Sequence, residues 1–127
     1  MADTCKSAGI APAEIDYISA HATSTLQGDA AEAAAIREIF GADVPVSSLK
    51  GHLGHTLGAS GPLEMAAVFE MARHGVLIPT RNLADIDPAC AGIDHVTALR
   101  EKRIRTFFKN SFAFGGINAS LICKLNV

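Results

Sequence analysis

Two short apolar runs, residues 15–20 (Ile-Asp-Tyr-Ile-Ser-Ala) and residues 44–49 (Val-Pro-Val-Ser-Ser-Leu), are each followed by a histidine-bearing segment and then by a helix-length stretch. This alternation constrains the fold most. A strand that leads into a helix and on to another strand has to return across a sheet, so the order predicts α/β layers with helices covering the sheet. Residues 2–8 read as a polar helix stopped by Gly9, with Pro12 beyond it. In the first strand Ile15, Tyr17 and, less perfectly, Ser19 alternate onto one face. Alanines with Glu32, Arg37 and Glu38 favour a helix over residues 30–40, which Gly41 ends. In the second strand Pro45 lies near the entrance, where a missing backbone donor is tolerated.

Gly51, Gly54, Gly58 and Gly61 then punctuate a turn-rich segment, and Pro62 suits an early helical position. Over residues 63–74 apolar side chains surround most of the helical circumference, which predicts a largely buried helix. Gly75 stops it, residues 76–79 begin an extended connection, and residues 81–88 read as an ordered loop anchored by Leu83 and Ile86. Residues 104–112 and 119–125 read as closing strands, joined as a hairpin through Phe114-Gly115-Gly116.

At 127 residues, 49% hydrophobic and 19% charged, the chain fits one soluble domain spanning residues 1–127. Eleven basic against thirteen acidic residues leave a formal net charge of -2, so charge points neither to nucleic acid nor to an anionic membrane. No run approaches the roughly 18 apolar residues of a membrane span. Cys5, Cys90 and Cys123 are odd in number and without CxxC spacing, which favours a reducing, cytoplasmic setting.

In this layout His21 and the segment 50–55 fall just past the carboxyl ends of two strands, where sites of α/β sheets gather. His21 with Thr23 and Thr25 offers an imidazole that exchanges protons near neutrality and hydroxyls that orient a polar ligand; the plainer alternative is a backbone-paired histidine with Thr23 and Ser24 capping the next helix. Lys50, His52 and His55 offer a cation and two imidazoles among glycines that allow close backbone approach, with Glu64 as an internal charge partner; a structural ion-pair network competes. No CxxC, HExxH or third-ligand pattern supports a metal, and neither glycine-rich stretch matches a phosphate loop or dinucleotide fingerprint. Four phenylalanines at 107, 108, 112 and 114 read as core packing ahead of a stacking platform.

Three blocks, read together, resemble the condensing enzymes of the thiolase superfamily, specifically β-ketoacyl-ACP synthases of the elongating type. They are DYISAHATST at 16–25; VSSLK at 46–50 with GH at 54–55 and LGASG at 57–61; and NSFAFGGINA at 110–119. The resemblance covers almost the whole chain and implies a thiolase-like C-terminal half, with a mixed sheet covered by helices and incomplete in this chain. It further implies a Cys-His-His site for decarboxylating Claisen condensation with malonyl-ACP. His21 and His55 match the two family histidines, Lys50 the lysine that organises them and Glu64 its acidic partner; His52 lies off the catalytic position. Thr23 and Thr25 resemble residues that hold the phosphopantetheine arm of acyl carrier protein. Phe114 resembles an aromatic gate, and backbone donors near Phe112 to Phe114 part of an oxyanion hole. Ala22, Ala113 and Ile117 depart from the glycine, glycine and threonine usual at those positions.

The reactive cysteine of that family lies in a preceding half, and Cys5, Cys90 and Cys123 match no such context. The expected partners are therefore acyl carrier protein, a Cys-bearing N-terminal half and further copies of the chain, with no bound cofactor. The expected function is the histidine-bearing portion of a β-ketoacyl synthase, inactive alone; the alternative is a non-enzymatic interaction or regulatory fragment of the same fold. Acyl-chain length and the choice between fatty-acid and polyketide synthesis are not encoded in these motifs.

Overall fold

The computed structural model describes residues 1–126. Helix α1 (Ala2–Ala8) ends where Gly9 turns left-handed at φ 64. Strand β1 (Tyr17–Ser19) leads to helix α2 (Leu26–Phe40), then strand β2 (Pro45–Ser47), the short helix α3 (Lys50–Leu53) and helix α4 (Ser60–His74). Strands β3 (Val76–Leu77), β4 (Asp94–His95) and β5 (Arg100–Glu101) are two residues each, and the chain finishes as a hairpin of β6 (Thr106–Ala113) and β7 (Ile117–Lys124). The main sheet runs β4-β2-β1-β6-β7, with β6 and β7 antiparallel and the other pairs parallel. It is a mixed sheet covered by helices, as the resemblance to thiolase-like condensing enzymes implies.

Strand β1 is central, and its three residues are fully buried because both faces of the sheet are covered. Tyr17 and its partner Phe107 face a core with Leu49, Val68, Met71 and Leu77; Ile18 and its partner Phe108 face the other core, with Cys5, Ile36, Phe40 and Val46. Ile15 belongs to the second core, so Ile15 and Tyr17 do not share a face; the regular strand begins only at Tyr17 and the alternation read from residue 15 slips. The Asp16 carboxylate fixes the β1–β6 register by accepting from the backbone N–H groups of Arg105 (2.8 Å) and Thr106 (2.9 Å).

Helix α2 starts four residues before the expected point and buries one stripe, Glu32, Ala33, Ile36 and Phe40. Helix α4 also starts earlier, at Ser60, which moves Pro62 to the third helical position. It buries Ser60, Glu64, Val68, Met71 and Ala72, while Leu63 and Phe69 stay 46% and 43% exposed. The expected all-round burial is thus replaced by burial of one face, because the sheet contacts a single side of the helix. The segment read as turns between β2 and α4 contains α3, since Lys50 to Leu53 close a turn of helix before Gly54 (φ 77) releases the chain. Gly51 sits on this helix because Arg81 passes so close that an added Cβ would lie 2.9 Å from Arg81 Cβ and 3.3 Å from its carbonyl oxygen. The close approach is therefore to the chain's own loop.

Candidate functional site

His21 lies two residues beyond β1, and His55 lies between α3 and α4, beyond β2. Because β1 and β2 are parallel neighbours, their carboxyl ends deliver both residues to one edge of the sheet. The imidazole centroids stand 5.6 Å apart and nearly perpendicular, at 87°. Phe112, on β6, packs edge-on against His21 at 5.7 Å.

The His21 segment is held by its backbone. Glu32, buried on α2, accepts from the N–H of His21 through Oε1 (2.9 Å) and from the N–H of Ala22 through Oε2 (2.8 Å), while Ser48 Oγ donates to the Ala22 carbonyl at 2.9 Å. Thr23 and Thr25 share a hydroxyl contact of 3.2 Å, and Thr25 is the N-cap of α2 without a side-chain cap bond, so the capping alternative for Thr23 and Ser24 does not apply. His55 is held through Nδ1, which lies 3.1 Å from Ser60 Oγ and accepts from the Leu57 N–H at 3.2 Å. With Nδ1 accepting, the neutral ring carries its proton on Nε2 and presents a donor outward.

Lys50 Nζ lies 2.7 Å from Glu64 Oε1, and the side chains are 7% and 1% exposed. Lys109, in the middle of β6, reaches the other oxygen, Glu64 Oε2, at 2.6 Å. Sequence reading passed over Lys109 because an isolated lysine among phenylalanines carries no motif; the signal was a cation inside a run destined for a two-sided core. Burial, then the Lys50, Lys109 and His55 charges, pushes the His21 imidazole down to about 4. At neutral pH it is therefore an uncharged donor or acceptor.

The remaining residues take other places. His52 Nε2 lies 2.9 Å from the Pro79 carbonyl and ties α3 to the segment just after β3; His95 Nε2 lies 2.8 Å from the Cys90 carbonyl. Each must donate to that carbonyl. Phe114 stands fully exposed at the hairpin tip, which Gly115 and Gly116 form at positive φ. Cys5 is in the second core, Cys123 packs against the first, and Cys90 closes a 3-10 turn; burial pushes all three thiols up, away from the reactive thiolate. A cavity of about 180 Å³ behind the His21 segment is lined by Ala22, Glu32, Ser48 and Thr80 among others, but by neither His21 nor His55. Among the described residues no group of three or more ligating side chains is placed to hold a metal ion, and no helix is long and apolar enough to cross a membrane.

The family model described as "Beta-ketoacyl synthase, C-terminal domain" matches residues 1–84. A 3-oxoacyl-[acyl-carrier-protein] synthase 1 of Escherichia coli (strain K12) is 42% identical over 111 residues, 87% of this chain and 27% of its own length. A crystal structure of a β-ketoacyl synthase from Burkholderia phymatum STM815 superposes with a TM-score of 0.91 at 44% identity, covering 94% of this chain and 30% of that one. A type II PKS acyl-carrier protein in complex with its ketosynthase bound to the hexaketide contains a chain similar at TM-score 0.88 and 33% identity, over 94% of this chain and 30% of that one. A ketosynthase in complex with its chain length factor, from Xenorhabdus doucetiae, contains one similar at 0.85 and 38%, over 93% and 30%. The chain thus spans less than a third of the length of these relatives.

Proposed function

The chain belongs to the family of β-ketoacyl synthase C-terminal domains, and from that premise we propose that it supplies the two-histidine half of a decarboxylating condensation site. The observation that carries this reading is the His21–His55 pair, rings 5.6 Å apart at the ends of adjacent parallel strands. The nucleophilic cysteine comes from another part of a longer protein or from a partner chain, since Cys5 is buried in one core, Cys123 packs against the other and Cys90 closes the 88–90 turn.

A malonyl thioester, carried on the phosphopantetheine of acyl carrier protein and oriented by Thr23 and Thr25, places its thioester oxygen against the two imidazoles. The bond between the malonyl methylene and its carboxylate breaks, carbon dioxide leaves, and the electron pair passes to the thioester oxygen as an enolate. The Nε2–H of His55 and an N–H of neutral His21 stabilise that charge where it develops. The enolate carbon then attacks the acyl thioester on the cysteine, and collapse of the tetrahedral adduct, its oxyanion met by backbone donors near Phe112, expels the thiolate. Lys50, held by Glu64, acts on the imidazoles through charge, and Phe114 gates the acyl side. Supporting the carrier-protein partner is the likeness to a chain of a ketosynthase in complex with one.

A second reading is a non-catalytic domain of the same fold that assembles with a condensing partner. It is favoured by the likeness to a chain of a ketosynthase–chain length factor complex. The two readings separate in one assay: carbon dioxide release from malonyl-ACP by the full-length protein with its cysteine-bearing part. The catalytic reading expects release that falls at least about 100-fold in His55→Ala. The second expects partner binding with no release.

A further inference from the structure

Lys109 is 2% exposed in the middle of a central strand, a position where an unpaired ammonium would be prohibitive. Its Nζ lies 2.6 Å from Glu64 Oε2, opposite Lys50 at 2.7 Å from Oε1, so one carboxylate is gripped by two cations from β6 and α3. The same ammonium donates to the Asn110 carbonyl. Asn110 points to the opposite face of the sheet, where its Nδ2 donates to Glu32 Oε1 at 2.8 Å, the oxygen that also accepts the His21 N–H. Lys109 is paired in register with Ser19, two residues before His21.

We infer that Lys109 is a positioning residue for His21, acting as the second ammonium on Glu64 and, through Asn110 and Glu32, on the backbone that carries the imidazole. The inference rests on the proposed role of His21 as a neutral donor. Lys50 and Glu64 alone form a neutral pair, and Lys109 adds a second positive charge to it, while the Glu32 carboxylate on the other face of the sheet is held by two backbone N–H groups and an amide. The groups facing His21 are Lys50 from α3, His55 from the loop after it, Glu64 from α4, Lys109 and the Phe112 ring from β6, and Glu32 from α2 through the backbone. Added positive charge at this place opposes a proton on the imidazole.

The test is an NMR pH titration of His21 in the full-length protein labelled at histidine. Lys109→Met raises the His21 pKa from about 4 toward the ordinary value of 6.5, and Lys109→Arg, which keeps the charge, restores the original value. A His21 titration identical in both variants and the unmodified protein overturns the inference. Where Lys109→Met does not fold, the side-chain nitrogen resonance of Lys109 in the unmodified protein decides: a neutral amine at neutral pH overturns the inference, and an ammonium whose loss of a proton at higher pH shifts the His21 ring resonances upholds it. The titration needs no turnover. Carbon dioxide release undiminished in His21→Ala removes the proposed function and leaves the titration result readable on its own.

Discussion

His21 owes its chemistry to the groups that surround it more than to the imidazole itself. Burial and the neighbouring cations lower its pKa from 6.5 to about 4, so the unfolded chain binds a proton there that the folded chain refuses over that interval. The folded state's advantage is complete above pH 6.5 and is lost as pH falls through about 4. We expect the NMR titration of His21 to have its midpoint near 4 and His21→Gln to flatten the fall in stability between pH 6.5 and 4; a midpoint near 6.5 contradicts the buried environment. Glu32 is the second residue on which the segment depends. In Glu32→Ala the N–H groups of His21 and Ala22 and the Asn110 amide lose their acceptor, which costs about 1–3 kcal/mol in chemical denaturation and exposes those two backbone amides to faster hydrogen exchange. Unchanged exchange at His21 and Ala22 would refute the strap. His21, Lys50 and His55 were legible as candidates because histidine, lysine and glycine past two apolar runs form a pattern. Glu32 and Lys109 were not, because a carboxylate in a helix and a lysine in a strand acquire meaning only when the sheet brings residues 21, 32, 64 and 109 together.

At the scale of elements, α1, α2, α4 and the terminal hairpin were readable from glycine stops at 9, 41 and 75 and from the Phe114-Gly115-Gly116 turn, while α3 was missed and starts were misplaced by up to four residues. The reason is physical: Gly9 and Gly75 end helices through a left-handed backbone that leaves a sequence mark, whereas α2 and α4 begin at Leu26 and Ser60 without a side-chain cap. The one-sided burial of α4 was hidden for a related reason, since apolar residues around the whole circumference cannot say which side the sheet takes. Met71 is on the buried stripe, 1% exposed, and Met71→Ala should cost about 2–5 kcal/mol in denaturant unfolding. Gly51→Ala, whose new methyl meets Arg81 at 2.9 Å, should cost about 1–3 kcal/mol by displacing the loop after β3. A loss below about 0.5 kcal/mol in either variant, the range of ordinary surface changes, contradicts the packing described.

Across the whole molecule, two cores fill the two faces of one sheet, and apolar side chains remain on the α3–α4 side (Leu53, Leu57, Leu63, Phe69) and along the hairpin (Phe114, Ile117, Leu121). The most direct measurement is carbon dioxide release from carboxyl-labelled malonyl-ACP by the full-length protein with its cysteine-bearing part. The account expects release that falls at least about 100-fold in His21→Ala and in His55→Ala while both variants remain folded; release at the unmodified rate in a folded His21→Ala/His55→Ala double variant would contradict it.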